Sequence, residues 1–144
     1  MKDLLQKLNR QVANFGVLYI KLHNYHWFVK GMSFYQLHQL FESLYDEATE
    51  NLDVIAERIL MLDGQPFASL KDFLANASIQ EATGNETVME MINQVIYDYI
   101  TIDAELSEIV NAAQEAHDEV TVDILLGIQG AIQKHLWMLK ALEK

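Results

Sequence analysis

The 144-residue sequence predicts an all-α protein: a four-helix bundle whose second and third helices are joined by a long crossover containing a short helix. Three observations carry that expectation. Apolar residues recur at three- and four-residue steps through four long stretches. No stretch alternates with period two for long enough to be a strand. Glycine, proline and polar breaks fall between the stretches.

The first helix spans about residues 3–30, on a stripe of Leu8, Val12, Phe15, Tyr19, Leu22 and Val29, and Lys30-Gly31 is its expected stop. Ser33 with Gln36 reads as a capping box opening the second helix. That helix carries Leu37, Phe41, Leu44, Ala48, Leu52, Ile55, Ile59 and Leu62, and stops at Gly64, before Pro66. The connection from 63 to about 84 holds one short capped piece, Ser69 to Ala75. The third helix runs from about 85 to 115 on Val88, Met91, Ile92, Val95, Tyr99, Ile102, Leu106 and Ile109. After the polar break AHDEV, the fourth spans about 120–142 on Val122, Leu125, Ile128, Ile132, Leu136 and Leu139. Two short turns flanking one long crossover are the topology of a ferritin-like bundle, expected here as a single domain over residues 1–144.

Composition narrows the function classes. The chain has no cysteine, which removes disulfides, zinc–thiolate sites and thiol nucleophiles together. Neither a secretory leader nor a membrane span is legible, and a cytoplasmic location is the expectation. Ten basic against 21 acidic residues give a formal charge of −11. Phosphate neutralisation is the source of DNA affinity, so this balance opposes direct DNA binding. Lys2, Lys7, Lys140 and Lys144 are too few and too scattered to form a basic footprint. An acidic surface suits solubility, and equally a surface or cavity that attracts cations.

The second helix holds the candidate chemistry. His38 and Glu42 lie four apart, as do Asp53 and Glu57, and all four fall in a stripe roughly 100° wide. Such pairs are also ordinary on a solvated acidic helix. As ligands, however, they pose a problem: Glu42 and Asp53 are about 16 Å apart along the axis at 1.5 Å per residue, whereas metal bonds to imidazole or carboxylate run about 2.0–2.3 Å. A second copy laid antiparallel solves it. His38 with Glu57, and Glu42 with Asp53, share the same residue-number sum, so a two-fold axis near residues 47–48 brings each pair opposite the other twice per dimer. Small Ala48 near that axis would allow close approach. Across the turn at Gly31-Met32, His26 is level with His38 and adds a further ligand. Imidazole plus carboxylate suits iron, zinc or manganese. The Glu-x-x-His pairs of the usual di-iron bundle are absent, which disfavours a centre within one subunit.

At these residues the chain resembles the Dps family, the mini-ferritins. The likeness covers nearly the whole chain. It is strongest in YHWFVKG (residues 25–31), the twelve-residue step from His26 to His38, and D-x-x-A-E at 53–57, with a weaker match from TVDILL to KHLWMLKAL near the end. The resemblance implies a dodecameric hollow shell that oxidises Fe(II), preferably with hydrogen peroxide or else with O2, and stores ferric mineral inside. It implies ferroxidase ligands at His26, His38, Asp53 and Glu57, forming an iron centre shared between two subunits. Glu42 stands where the family more often has aspartate. Trp27 is implied as a radical sink beside the ligand His26, against the plainer reading of a packing residue. Glu119 and Asp123 are implied at iron-entry pores, although acidic residues in a helix's first turn also compensate its dipole. Tyr25, Tyr45 and Trp137 read as packing residues, and His23, His117 and His135 as surface or packing residues without a partner. A DNA-binding architectural protein would need a basic tail that this sequence lacks, and a plain helical scaffold would leave the carboxylates merely solvated.

Overall fold

Residues 11–18 of the first helix are buried one after another, not as a stripe. The computed structural model, which describes residues 1–143, shows why. Five helices follow one another: α1 (Lys2–Phe28), α2 (Phe34–Met61), α3 (Leu70–Asn76), α4 (Val88–Glu115) and α5 (Glu119–Leu142). Helix α1 packs against α2, α3 and α4, so three elements surround it. The four long helices form the bundle, and the short α3 rides on α1. Phe73 of α3 lies so close over α1 that a Cβ on Gly16 would come within 2.4 Å of its ring. The apolar positions read from the sequence line one continuous core, with Phe15, Leu22, Phe41, Leu44, Ile55, Ile102, Leu106 and Leu125 each at most 1% exposed.

Side-chain pairs fix the directions. Gln11 and Asn14 reach Glu105, and Lys21 reaches Asp98, so α1 and α4 are antiparallel. Arg58 bonds Thr121 and Asp118 while Glu47 pairs with His135, so α2 and α5 are antiparallel as well. The crossover carries α4 back to the end where α2 begins. It is held to α1 by two asparagines. Asn9 bonds the Gln65 carbonyl and the Phe67 N–H, and Asn14 accepts from the Ser78 N–H. A connection lying over a helix face must have its backbone polar groups satisfied, and these amides do that.

The ends differ from the sequence reading in instructive ways. Helix α1 stops at Phe28, with Val29 extended as its cap, and Gly31 spends its positive φ of 104° in the following turn. Ser33 does cap α2, but its side chain makes no capping bond and the Ser33/Gln36 box does not form; the turn is closed instead by the Phe34 N–H on the Gly31 carbonyl. At the other end of α2, Asp63 rather than Gly64 takes the left-handed conformation (φ 63°), and the Gly64 N–H reaches back to the Ile59 carbonyl. The capping box that does form is Thr87 with Glu90, which starts α4 three residues later than expected. Ser69 and Asp118 cap α3 and α5 through their side chains. Ala48 is 2% exposed and faces its own core, so it cannot be the small contact residue expected on the outer surface of α2. Trp137, expected to pack, is 70% exposed.

Among the described residues, one ion pair lies in the core. Lys21 Nζ lies 2.7 Å from Asp98 Oδ2, and both side chains are almost wholly buried. Burial raises the Asp98 carboxyl above its ordinary value despite the ammonium beside it. Removing one member strands the other charge in the core. Lys21→Met is therefore expected to lower unfolding stability by about 3–5 kcal/mol, and Lys21→Met with Asp98→Leu to recover much of it. Urea unfolding of the three proteins at one protein concentration measures this; a single variant as stable as the parent would contradict it.

Candidate metal centre

The α1–α2 turn brings two imidazoles together by a reciprocal exchange. His26 Nδ1 meets the His38 carbonyl at 2.7 Å, and His38 Nδ1 meets the His26 carbonyl at 2.7 Å. A carbonyl oxygen only accepts, so each Nδ1 carries the hydrogen, and each Nε2 keeps its lone pair when the ring is neutral. The rings stack at a centroid distance of 3.6 Å and 14° between planes. Phe34 lies against the His38 ring at 5.0 Å. This is how a protein prepares imidazole for a metal: the second nitrogen's hydrogen bond fixes both tautomer and ring orientation. The sequence showed the two histidines level, but not this exchange of bonds.

The other candidate ligands divide into two groups. Glu42, one turn further along α2, brings Oε1 to 3.9 Å from His26 Nε2, and its side chain is about half exposed. Asp53 and Glu57 lie on the exposed surface of α2 beyond the middle of the helix and, among the described residues, make no ion pair within the chain. Thus His26, His38 and Glu42 gather at one end, and Asp53 and Glu57 stay apart. Among the described residues, no three His, Asp or Glu side chains of one chain converge on a metal position.

Tyr25, next to His26, is anchored from the crossover side. Its hydroxyl donates to Glu86 Oε2 at 2.8 Å, just before α4. Burial, reinforced by Glu86, pushes the Tyr25 phenol far up. Burial alone would also raise the Glu86 carboxyl, but hydrogen bonds from Thr83 and Tyr25 outweigh it and hold Glu86 down at about 2. Trp27 is 65% exposed rather than packed in the core of its own chain. Glu119 and Asp123 are exposed at the start of α5, and His117 is exposed in the α4–α5 turn with φ 58°. His135, expected to lack a partner, pairs with Glu47 and lies parallel to Tyr99. Neither that pair nor Lys21–Asp98 carries a local sequence signal, because each joins residues more than 70 positions apart.

Comparison with known proteins defines the class first. The family description "Ferritin-like domain" matches residues 5–144. The chain is 49% identical over 140 residues to general stress protein 20U of Bacillus subtilis, covering 97% of each chain. It is also 49% identical over 146 residues to the DNA protection during starvation protein of Brevibacillus brevis, covering 98% of each. Among solved structures it is similar to a Dps protein from Bacillus brevis, with a TM-score of 0.98 at 46% identity over 99% of this chain and 96% of that one. The Dps of Staphylococcus aureus also superposes at a TM-score of 0.98, at 38% identity, over 100% of this chain and 97% of that one. The chain belongs to the Dps family of the ferritin-like superfamily.

The Glu86 anchor has a pH signature. Its folded pKa of about 2 lies below the ordinary 4.5, so its stabilising contribution is complete above the ordinary value and is lost as pH falls toward 2. Glu86→Gln should destabilise the protein at neutral pH, with the gap to the parent closing on acidification through that window. Urea midpoints measured across the acid range test it; a gap independent of pH would contradict the assignment.

Proposed function

We propose that this protein is a cytoplasmic iron-storage ferroxidase. It assembles as a hollow dodecamer, takes Fe(II) as substrate at sites shared across two-fold axes, oxidises it with hydrogen peroxide, and retains the ferric mineral inside. One observation carries this reading: two stacked imidazoles with both Nε2 atoms available, beside Glu42, at one end of α2, while Asp53 and Glu57 wait exposed on the same helix about 16 Å further on. An antiparallel mate closes each half with the opposite half of the other chain. In that register exposed Asp46 and Thr49, not Ala48, oppose each other near the axis, so no like charges meet there directly.

In the proposed site His26, His38 and Glu42 come from one chain and Asp53 and Glu57 from the other. The three carboxylates offset most of the charge of two bound Fe(II) ions, and the fixed imidazoles supply the nitrogen donors. Peroxide accepts one electron from each iron and, with two protons, gives two waters, so that no hydroxyl radical is released. Glu119 and Asp123 would draw cations toward pores in the shell. The relatives are named for DNA protection; here protection would come from consuming Fe(II) and peroxide together, because a charge of −11 opposes direct contact with DNA.

Mixed assembly tests the shared site. Shells of His38→Ala/Glu42→Ala chains, and shells of Asp53→Ala/Glu57→Ala chains, should each be inactive. Random mixed dimers of the two should regain one site in two, giving about a quarter of parental oxidation in an equal mixture. Mixed shells that assemble without recovery would sink the two-chain site.

Glu42 is assigned to the weaker of the two iron positions together with His38, while Asp53, Glu57 and the mate's His26 hold the tighter one. Its extra methylene, compared with aspartate, costs more rotamer entropy to fix. Anaerobic Fe(II) titration of Glu42→Ala should lose the weaker binding event and slow peroxide-driven oxidation far more than it weakens first-iron binding. Asp53→Ala should damage both events, and Glu42→Asp should stay active. Equal loss of both events in Glu42→Ala would remove this division of roles.

A further inference from the structure

Arg58, on the last turn of α2, spends its N–H donors unevenly. Nε donates to Thr121 Oγ1 at 2.9 Å and Nη2 to Asp118 Oδ1 at 2.8 Å, which ties the end of α2 to the start of α5. Nη1 points elsewhere, to the sulfur of Met61 at 3.8 Å. A thioether is a weak acceptor, so this third side of the guanidinium is poorly satisfied. Met61 is the last residue of α2 and is 69% exposed. It lies four residues beyond Glu57, about 6 Å along the axis. Of the six methionines, Met91 is buried, and among the described residues only Met61 brings its sulfur to a donor.

We propose that Met61 is a site of reversible oxidation by hydrogen peroxide, and that its sulfoxide closes the Arg58 clasp between α2 and α5. Only the oxidant comes from the ferroxidase reading above; the chemistry needs no iron. The sulfur lone pair attacks one peroxide oxygen as the O–O bond breaks and an S–O bond forms. The proton on the transferred oxygen passes to the departing hydroxide, which leaves as water. Sulfur loses two electrons and peroxide gains them, with no radical formed. The product carries a polar oxygen in place of a weak acceptor. Placed on the guanidinium side of the sulfur, that oxygen comes within reach of Nη1. It competes for neither existing bond, because Thr121 and Asp118 are held by Nε and Nη2. Oxidation therefore adds a bond to the joint rather than moving one. The Asp118 carboxylate that Arg58 holds also caps α5, accepting from the Thr121 N–H at 3.1 Å. Fixing Arg58 thus stiffens the segment that presents Glu119 and Asp123. Methionine sulfoxide reductases reverse the change.

Hydrogen exchange of the assembled, metal-free protein, before and after treatment with H2O2 alone, tests the clasp. Met32→Leu, Met89→Leu and Met138→Leu together remove the other exposed thioethers except Met1. In that background peptide mass spectrometry is expected to find one added oxygen on Met61. The amides of residues 118–122 are then expected to exchange several-fold more slowly than before treatment. Adding Met61→Leu should abolish the slowing. Met61→Gln, whose amide oxygen stands in for the sulfoxide, should exchange slowly without peroxide. Exchange that is unchanged or faster in the oxidised protein overturns the clasp. Met61 left reduced in the parent, under peroxide that oxidises the fully exposed Met32, overturns the modification site. Because no iron is present, either failure leaves the ferroxidase reading standing.

Discussion

Between residues 11 and 18, α1 has no face left for water, because α2, α4 and the crossover helix α3 enclose it. That enclosure is the constraint on which the rest of the structure depends. It requires Gly16, over which the Phe73 ring closes, and it requires partners for every polar group taken inside. Gln11 and Asn14 find Glu105, Asn14 also holds the crossover backbone at Ser78, and Lys21 finds Asp98. Each bond that satisfies a buried group also sets the register of α4 or the crossover on α1. The histidine-bearing end of α1 is thereby held from both sides: from α4 through Lys21–Asp98 and from the crossover through Tyr25–Glu86.

A rigid end makes the His26–His38 exchange effective. Two imidazole–carbonyl bonds across a tight turn would fray on a mobile hairpin; here the neighbouring Tyr25 is fully buried and bonded. The rings are therefore presented with their Nε2 atoms set before any ligand arrives, which lowers the cost of ordering them on binding. Glu42 is different, being about half exposed and only loosely near His26. The imidazoles are thus fixed while the carboxylate beside them is free to adapt.

Charge is distributed on the same principle. The ion pairs that cost most to desolvate lie inside or at helix joints: Lys21–Asp98 in the core, and Arg58–Asp118 where α2 meets the α4–α5 turn. At that turn, burial tends to raise the Asp118 carboxyl, but bonds from Thr121 and Arg58 prevail and hold it below its ordinary value, so that it serves at once as helix cap and as ion-pair partner. The ligand-type carboxylates Asp53 and Glu57 have no such partner in their own chain among the described residues, which leaves their charge available to a cation.

The sequence by itself determined the helix count, the crossover with its short helix, and the core positions, because the 3.6-residue period and the breaks at glycine and proline are local properties of the chain. It also determined that His26 and His38 are level and that Asp53 and Glu57 lie beyond their reach on one straight helix, since helix rise is fixed. Other features needed the tertiary structure. That Ala48 points inward and Trp27 outward depends on which neighbours cover each face. The Lys21–Asp98 and Glu47–His135 pairs join positions distant in sequence. The Thr87–Glu90 box forms where Ser33–Gln36 does not, because the Gly31 turn already closes the start of α2. The stacking of the two imidazoles, with each Nδ1 bonded to the other's carbonyl, follows from how closely two packed helices meet at their turn, a distance that no local pattern of residues encodes.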